Sequence, residues 1–324
     1  MNNLRAALDW SLGEPGEREG TGGAGGIAGA GQDGRGATGI RLCTGLGWFW
    51  YLTGYDAESR GWLERASRAA AAQQGPRLAQ LLHSFALLLL QQGEVDTAKD
   101  VLGKSLLLWR RAGDRHGEAT VLNSLGIAHR ALGDPERARA RLEESIATAL
   151  EIEDTQRQAT ALSNLALLEI DTGRPDAALP LIAEAERLDL ARGDEWGVAA
   201  DRVNRAGALV ASGRLEEAAD LVRDLGRSVG DQGDPDLSLE VVELAAGTAS
   251  LAGDHCRAVR LASCADEQRT VNRMPLSAPD RAFLEERLDA SRRALADELG
   301  ECERAGRLLT VEEALAEAAE VRAP

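Results

Sequence analysis

A glycine recurs every 40 residues through the middle of the chain, at Gly93, Gly133, Gly173, Gly213 and Gly253, with Gly54 one residue short of the same period. Five residues after each regular glycine stands an alanine: Ala98, Ala138, Ala178, Ala218 and Ala258. Seven residues before each stands Ala86, Gly126, Ala166, Ala206 or Ala246. A fixed period of this length is the signature of an array of supersecondary units, each burying its apolar face against its neighbours.

Each unit reads as two helices. In the stretch before Gly133, the apolar residues Val121, Leu122, Leu125, Ala128 and Leu132 recur at steps of three and four, the period of one helix face. Asp134 then suits an N-cap, Pro135 the first helical position and Glu136 the positive end of the helix dipole. The second helix continues with Ala138, Leu142, Ile146 and Leu150 turned inward, and the small residues Gly126 and Ala138 let the two backbones approach. Short acidic joints at 112–117, 152–157, 192–197 and 230–236 end one unit and begin the next. The alphabet agrees: aromatic residues are only 3% of the chain, and its apolar positions are mostly leucine and alanine, which favour helices over strands.

Charge and cysteine usage narrow the function classes. The formal net charge is -16, and Lys99 and Lys104 are the only lysines. Such a chain repels phosphate backbones over most of its surface, so direct nucleic-acid binding is not expected. Cys43, Cys256, Cys264 and Cys302 form no close pair and have no histidine cluster beside them, so neither a zinc site nor a disulfide framework is expected. The N-terminus lacks a signal-peptide pattern, and the apolar stretch at 78–90 is too short and interrupted to span a bilayer. A cytoplasmic protein without membrane attachment is the expectation.

The pattern of Gly126, Gly133, Ala138 and Leu142, repeated over roughly 54–269, resembles the tetratricopeptide repeat (TPR), in a longer form than the usual unit of about 34 residues. The segments at 2–12, 48–66 and 260–318 resemble the C-terminal helical region of actinobacterial multi-domain regulators, the LuxR-type activators and predicted signal-transduction ATPases. The resemblance implies an all-α, right-handed superhelical solenoid of antiparallel helix pairs. It divides the chain into N-terminal cap helices over 1–53, repeats over 54–269 and C-terminal capping helices over 270–324. Residues 13–39 hold twelve glycines in 27 residues and read as a flexible insertion in the first helical pair. Farther along, 269–279 reads as a loop, Ser277 as a cap, 280–299 as a helix, and Thr310 with Glu313 as a capping box. Arg205 stands at an expected apolar core position, and Pro180 falls early in a second helix, a point for a kink.

No catalytic, cofactor or metal residues are expected. The partial phosphate-loop ending at 102–105 falls inside a helix and lacks the required glycine at Ala98, which makes Lys104 a surface residue. His83, His116, His129 and His255 are assigned to different units and never take metal-ligand spacing. Trp48, Trp50, Tyr51 and Trp62 are expected to seal the N-terminal end, and Trp109 and Trp196 to pack at joints. In the repeat family the first helices line a concave face, and positions ten and three residues before the turn glycine carry ligand contacts. By that resemblance one row is His83, Asn123, Ser163 and Val203, and the next is Leu90, Arg130, Ile170 and Val210. His83, Asn123, Ser163 and Arg130 are polar enough to orient a peptide; the alternative is that they merely solvate the groove. The expected function is a protein- or peptide-binding scaffold or sensor, regulatory in transcription or signalling by the resemblance. The alternative is a fragment, or an autoinhibitory or oligomerising arm, of a larger regulator, lacking its ATPase and DNA-binding domains.

Overall fold

A computed structural model describes residues 2–12, 32–53, 56–70, 75–272, 274 and 276–323, and all regular structure among them is helical. The chain divides into two compact units, Met1–Ile152 and Glu153–Pro324. Unit 1 contains α1 (Asn2–Leu12), α2 (Gln32–Thr53), α3 (Asp56–Ala70), α4 (Pro76–Gln91), α5 (Val95–Ala112), α6 (Arg115–Ala131) and α7 (Pro135–Glu151). Unit 2 contains α8 (Thr155–Asp171), α9 (Pro175–Arg192), α10 (Glu195–Ala211), α11 (Leu215–Ser228), α12 (Pro235–Leu251), α13 (His255–Asn272), α14 (Ala278–Leu295), α15 (Leu299–Arg307) and α16 (Val311–Ala318). Each unit is a stack of antiparallel helix pairs, as the period requires.

The turn glycine works through its backbone. Gly133 has φ 70°, a left-handed conformation that costs a side chain and suits glycine. It lets Gly133 N–H bond Arg130 O at 3.0 Å and Asp134 N–H bond His129 O at 2.9 Å, closing α6 in a Schellman turn. Asp134 then accepts from Arg137 N–H at 3.2 Å and opens α7. At the joints between pairs the left-handed position is Gly113, Gly193 and Gly233, but Glu153, with φ 55°, in the fourth. The aspartates Asp114, Asp154, Asp194 and Asp234 that follow all cap the next helix.

The small residue serves packing. A Cβ on Gly126 would stand 2.5 Å from Leu142 Cγ, so α6 and α7 meet where glycine permits. Serines add polar ties across the pairs of unit 1: Ser105 Oγ donates to Ala79 O at 2.6 Å and Ser145 Oγ to Ala119 O at 2.8 Å. Glu118, nearly buried, receives Arg110 Nε at 2.7 Å and Arg115 Nη1 at 2.6 Å. Burial works against its ionisation, but the two guanidinium groups prevail and hold its carboxyl below the usual range.

Several expectations need correction. Residues 32–39, assigned to the flexible insertion, open α2 instead. There Gly39 lies so close to Ser11 and Leu12 that a Cβ would meet them at 2.5–2.8 Å, and the burial of Ile40 and Cys43 anchors the helix. The remainder of that insertion, 13–31, lies outside the described residues, as do the side chains of Trp48, Trp50 and Tyr51. Trp62 is buried, with Nε1 3.5 Å from Asp9 Oδ1 of α1. The expected loop at 269–279 is helical up to Asn272, and the helix expected over 280–299 ends at Leu295, where Ala296 turns to φ 40°. Ser277 and the Thr310/Glu313 capping box stand as expected. Arg205 avoids the core: its guanidinium stays partly exposed and reaches Glu186 at 3.1 Å. The helix α9 continues through Pro180 to Arg192.

The expectation that the cysteines form no disulfide fails. Cys256 of α13 and Cys302 of α15 form a disulfide, 46 residues apart in sequence, while Cys43 and Cys264 are buried thiols. The pairing was illegible because α15 packs on α13 only after α14 has intervened. Gly306 makes the approach possible, since a Cβ there would lie 2.2 Å from Arg260 O. The helix α16 then packs on α11, α12 and α13, and Ala314, Leu315, Ala318 and Val321 join the core of unit 2.

Two substitutions check this account. Gly126→Val overpacks the α6–α7 crossing and lowers unfolding stability by about 1–3 kcal/mol. Glu153→Gly relieves a left-handed side chain and raises it by up to about 1 kcal/mol, both read by urea titration.

Candidate ligand-binding face of the first helices

Within unit 1 the face lies on α4 and α6. Asn123 and Arg130, two turns apart on α6, are both partly exposed and flank partly exposed Ile127. Leu87 and Leu90 of α4 supply a further apolar edge, also partly exposed. The structure brings Asn123 and Arg130 onto one face as the spacing predicts.

His83 has a different task. Its Nε2 lies 2.9 Å from Ser124 Oγ, which ties α4 to α6. Burial pushes its pKa down to about 4, so the ring is neutral near pH 7 and takes part as a hydrogen-bonding group without charge. Ser124 was missed in the sequence because it stands one residue past the expected row. His116 and His129, assigned above to different units, both lie on α6, toward opposite ends; His129 is buried and His116 exposed. Lys104 is exposed in α5, as expected.

Ser163 belongs to unit 2. Its Oγ donates to Asp201 Oδ1 at 2.5 Å, linking α8 to α10. Asp201 is 1% exposed and its Oδ2 has no partner. Burial, with repulsion from Asp189, Glu186 and Asp194, pushes its carboxyl up to about 7, against the bond from Ser163. An aspartate directly after the apolar run Val198–Ala200 was the available signal for this group.

Farther along unit 2, beyond the partly exposed Ile170 of α8, the row is occupied by the chain itself. Val203 and Val210 are buried. Gly207 and Gly247 stand at the place that Leu87 and Ile127 take in unit 1. Phe283 of α14 packs against the cluster containing Val210 and Leu209. Glu243, at the next position of the row, is held by Arg269 through two hydrogen bonds of 2.5 and 2.9 Å. Trp109 packs at a joint over Gly117, but Trp196 does not: it is 55% exposed, with Nε1 donating to Asp234 Oδ2 at 2.7 Å. Among the described residues no cluster of His, Cys, Asp and Glu could hold a metal ion, and no helix is long and apolar enough to cross a membrane.

Stacked helix pairs with this turn and this exposed face define an all-α, TPR-like repeat fold. Residues 77–151, from α4 through α7, match the tetratricopeptide repeat family model. Among solved structures, the chain is similar to the Rap conjugation gene regulator of plasmid pLS20 in complex with the Phr* peptide. That pair is 16% identical, with a TM-score of 0.56 over 98% of this chain and 81% of the other. It is also similar to BtubC (BKLC) from P. vanneervenii, at 20% identity and TM-score 0.52 over 61% of this chain and 82% of that one. A Rap protein complexed with Competence and Sporulation Factor aligns at 17% identity and TM-score 0.52, over 80% of this chain and 65% of that one. No curated protein sequence matches the chain.

The two unusual ionisable groups act in opposite directions. His83 is depressed from 6.5 to about 4, so the stability tied to it is complete above pH 6.5 and is lost as pH falls toward 4. Asp201 is raised from 3.8 to about 7, so its share is complete below pH 3.8 and is lost as pH rises toward 7. Urea titrations across pH should give a flatter stability profile on the acid side for His83→Gln, and a smaller loss on approach to neutrality for Asp201→Asn.

Proposed function

We propose that the chain is a protein- or peptide-binding helical-repeat module whose ligand lies on the α4 and α6 face of unit 1. The observation that supports this most is the contrast in exposure. Asn123, Ile127, Arg130, Leu87 and Leu90 keep part of their surface exposed, whereas in unit 2 Val203 and Val210 are buried and Glu243 is bound to Arg269. The face offers an apolar strip beside a carboxamide and a guanidinium, which suits an extended segment with an apolar side chain and an acidic group. His83 and Ser124 position that surface by fixing α4 against α6.

The role is binding without catalysis, and by the resemblance to multi-domain regulators it serves transcriptional or signalling control. We infer that residues 54–269 form the repeat array, with the helices before and after it as caps. The filling of unit 2's row by Phe283 also favours a second reading, in which part of the chain is an intramolecular arm.

The test is panning of a random peptide library on the purified full chain, followed by calorimetry on the enriched peptides. Binding should weaken at least about tenfold, or about 1.4 kcal/mol, in the Asn123→Ala/Arg130→Glu double variant. Peptides that bind the double variant equally well would remove the ligand from this face.

A further inference from the structure

We propose that α15 and α16 form a strap on unit 2 that is released from α13 when a dithiol reduces the bond between Cys256 and Cys302. The device uses no residue of the α4 and α6 face.

The strap is sparsely anchored where the bond stands. Of the nine residues of α15 only Cys302 and Gly306 are buried, so the helix seats no apolar side chain apart from the bonded cysteine. Ahead of it, α14 buries only Leu288 and Ser291. Apolar anchorage begins in α16, with Ala314, Leu315, Ala318 and, beyond its end, Val321. Gly226 of α11 admits that helix, since a Cβ there would stand 2.9 Å from Leu315 O. The polar ties lie near the surface: Arg260 pairs with Glu317, Arg257 Nη1 donates to Glu320 O at 3.2 Å, and Arg223 Nη1 donates to Val321 O at 3.1 Å. Partly exposed contacts of this kind each add little. The covalent bond is therefore the principal hold on α15.

Opening the bond changes the tether. While it is closed, the strap hangs from Cys302, and only the residues after it can swing away from α13. Once it opens, α15 is joined to α13 only by the chain through α14, and its effective concentration at its seat falls. The two sulfurs are unequally covered: Cys302 is 4% exposed, whereas Cys256 is partly exposed. A thiolate of the reductant attacks Cys256 Sγ, the S–S bond breaks, and Cys302 leaves as a thiolate that takes up a proton. The second thiol of the reductant then displaces Cys256 Sγ, which is protonated in turn. The dithiol ends as a disulfide, having given two electrons and two protons to the chain.

Two further thiols report the outcome. Cys264 of α13 is fully buried, and its Sγ donates to Leu309 O at 3.4 Å, in the link between α15 and α16. Departure of the strap uncovers it. Cys43 is buried in the core of unit 1 and becomes accessible only if that core opens.

The experiment is maleimide labelling of the full chain, mapped cysteine by cysteine by mass spectrometry. It compares the oxidised chain, the chain treated with a dithiol, the re-oxidised chain and the Cys256→Ser/Cys302→Ser variant. Neither Cys43 nor Cys264 should react in the oxidised chain. Reduction, like the double variant, should speed labelling of Cys264 at least about tenfold and leave Cys43 protected. Hydrogen exchange should rise over 299–321 and stay unchanged over α4 to α7, and re-oxidation should reverse both effects. Labelling of Cys264 that is as slow with the bond open as with it closed would overturn the proposal. So would labelling of Cys43 in step with Cys264, the mark of general unfolding, or failure of re-oxidation to protect Cys264 again.

Discussion

The approach of one backbone to another at a residue without bulk is the constraint on which the rest of the structure depends. At Gly126 the side chain of Leu142 occupies the volume a Cβ would fill, and alanine takes the equivalent place in the neighbouring pairs. Once two helices lie that close, the turn between them must be tight, which is why a left-handed glycine follows seven residues later. The tight turn in turn fixes which side of the first helix faces its partner and which side remains exposed. Spacing, turn and exposed face are thus one geometric decision.

That decision was legible in the sequence because it is periodic. Gly133, Asp134 and Pro135 announce a turn, a cap and a helix start, and all three take those roles. What escaped was whatever depends on a single encounter outside the period. The disulfide requires α15 to fold onto α13 across an intervening helix, and no spacing rule encodes that return. Trp196 reads like a packing residue at a joint, yet its neighbours leave the ring in water. Arg205 falls where an apolar residue is expected and instead finds Glu186 on the preceding helix.

The candidate sites were legible in part for the same reason. The row spacing located Asn123 and Arg130 correctly on one face of α6. It could not tell that His83 and Ser163 would each turn toward a neighbouring first helix, since that depends on the partners Ser124 and Asp201 one or two positions off the row. Buried polar ties of this sort add direction to packing that is otherwise made of leucine and alanine. They align one helix along another where apolar contact alone would allow sliding.

The bond between Cys256 and Cys302 encloses α14, which lies between the two cysteines in sequence. The helix that carries Phe283 into the row of unit 2 is therefore part of a covalent ring with α13. Two copies of the chain cannot trade α14 through a simple hinge opening, because the ring would have to be cut or threaded first. In an array built from pairs of like geometry, where a helix from one molecule could pass for its counterpart in another, this closure keeps the last part of the fold with its own chain.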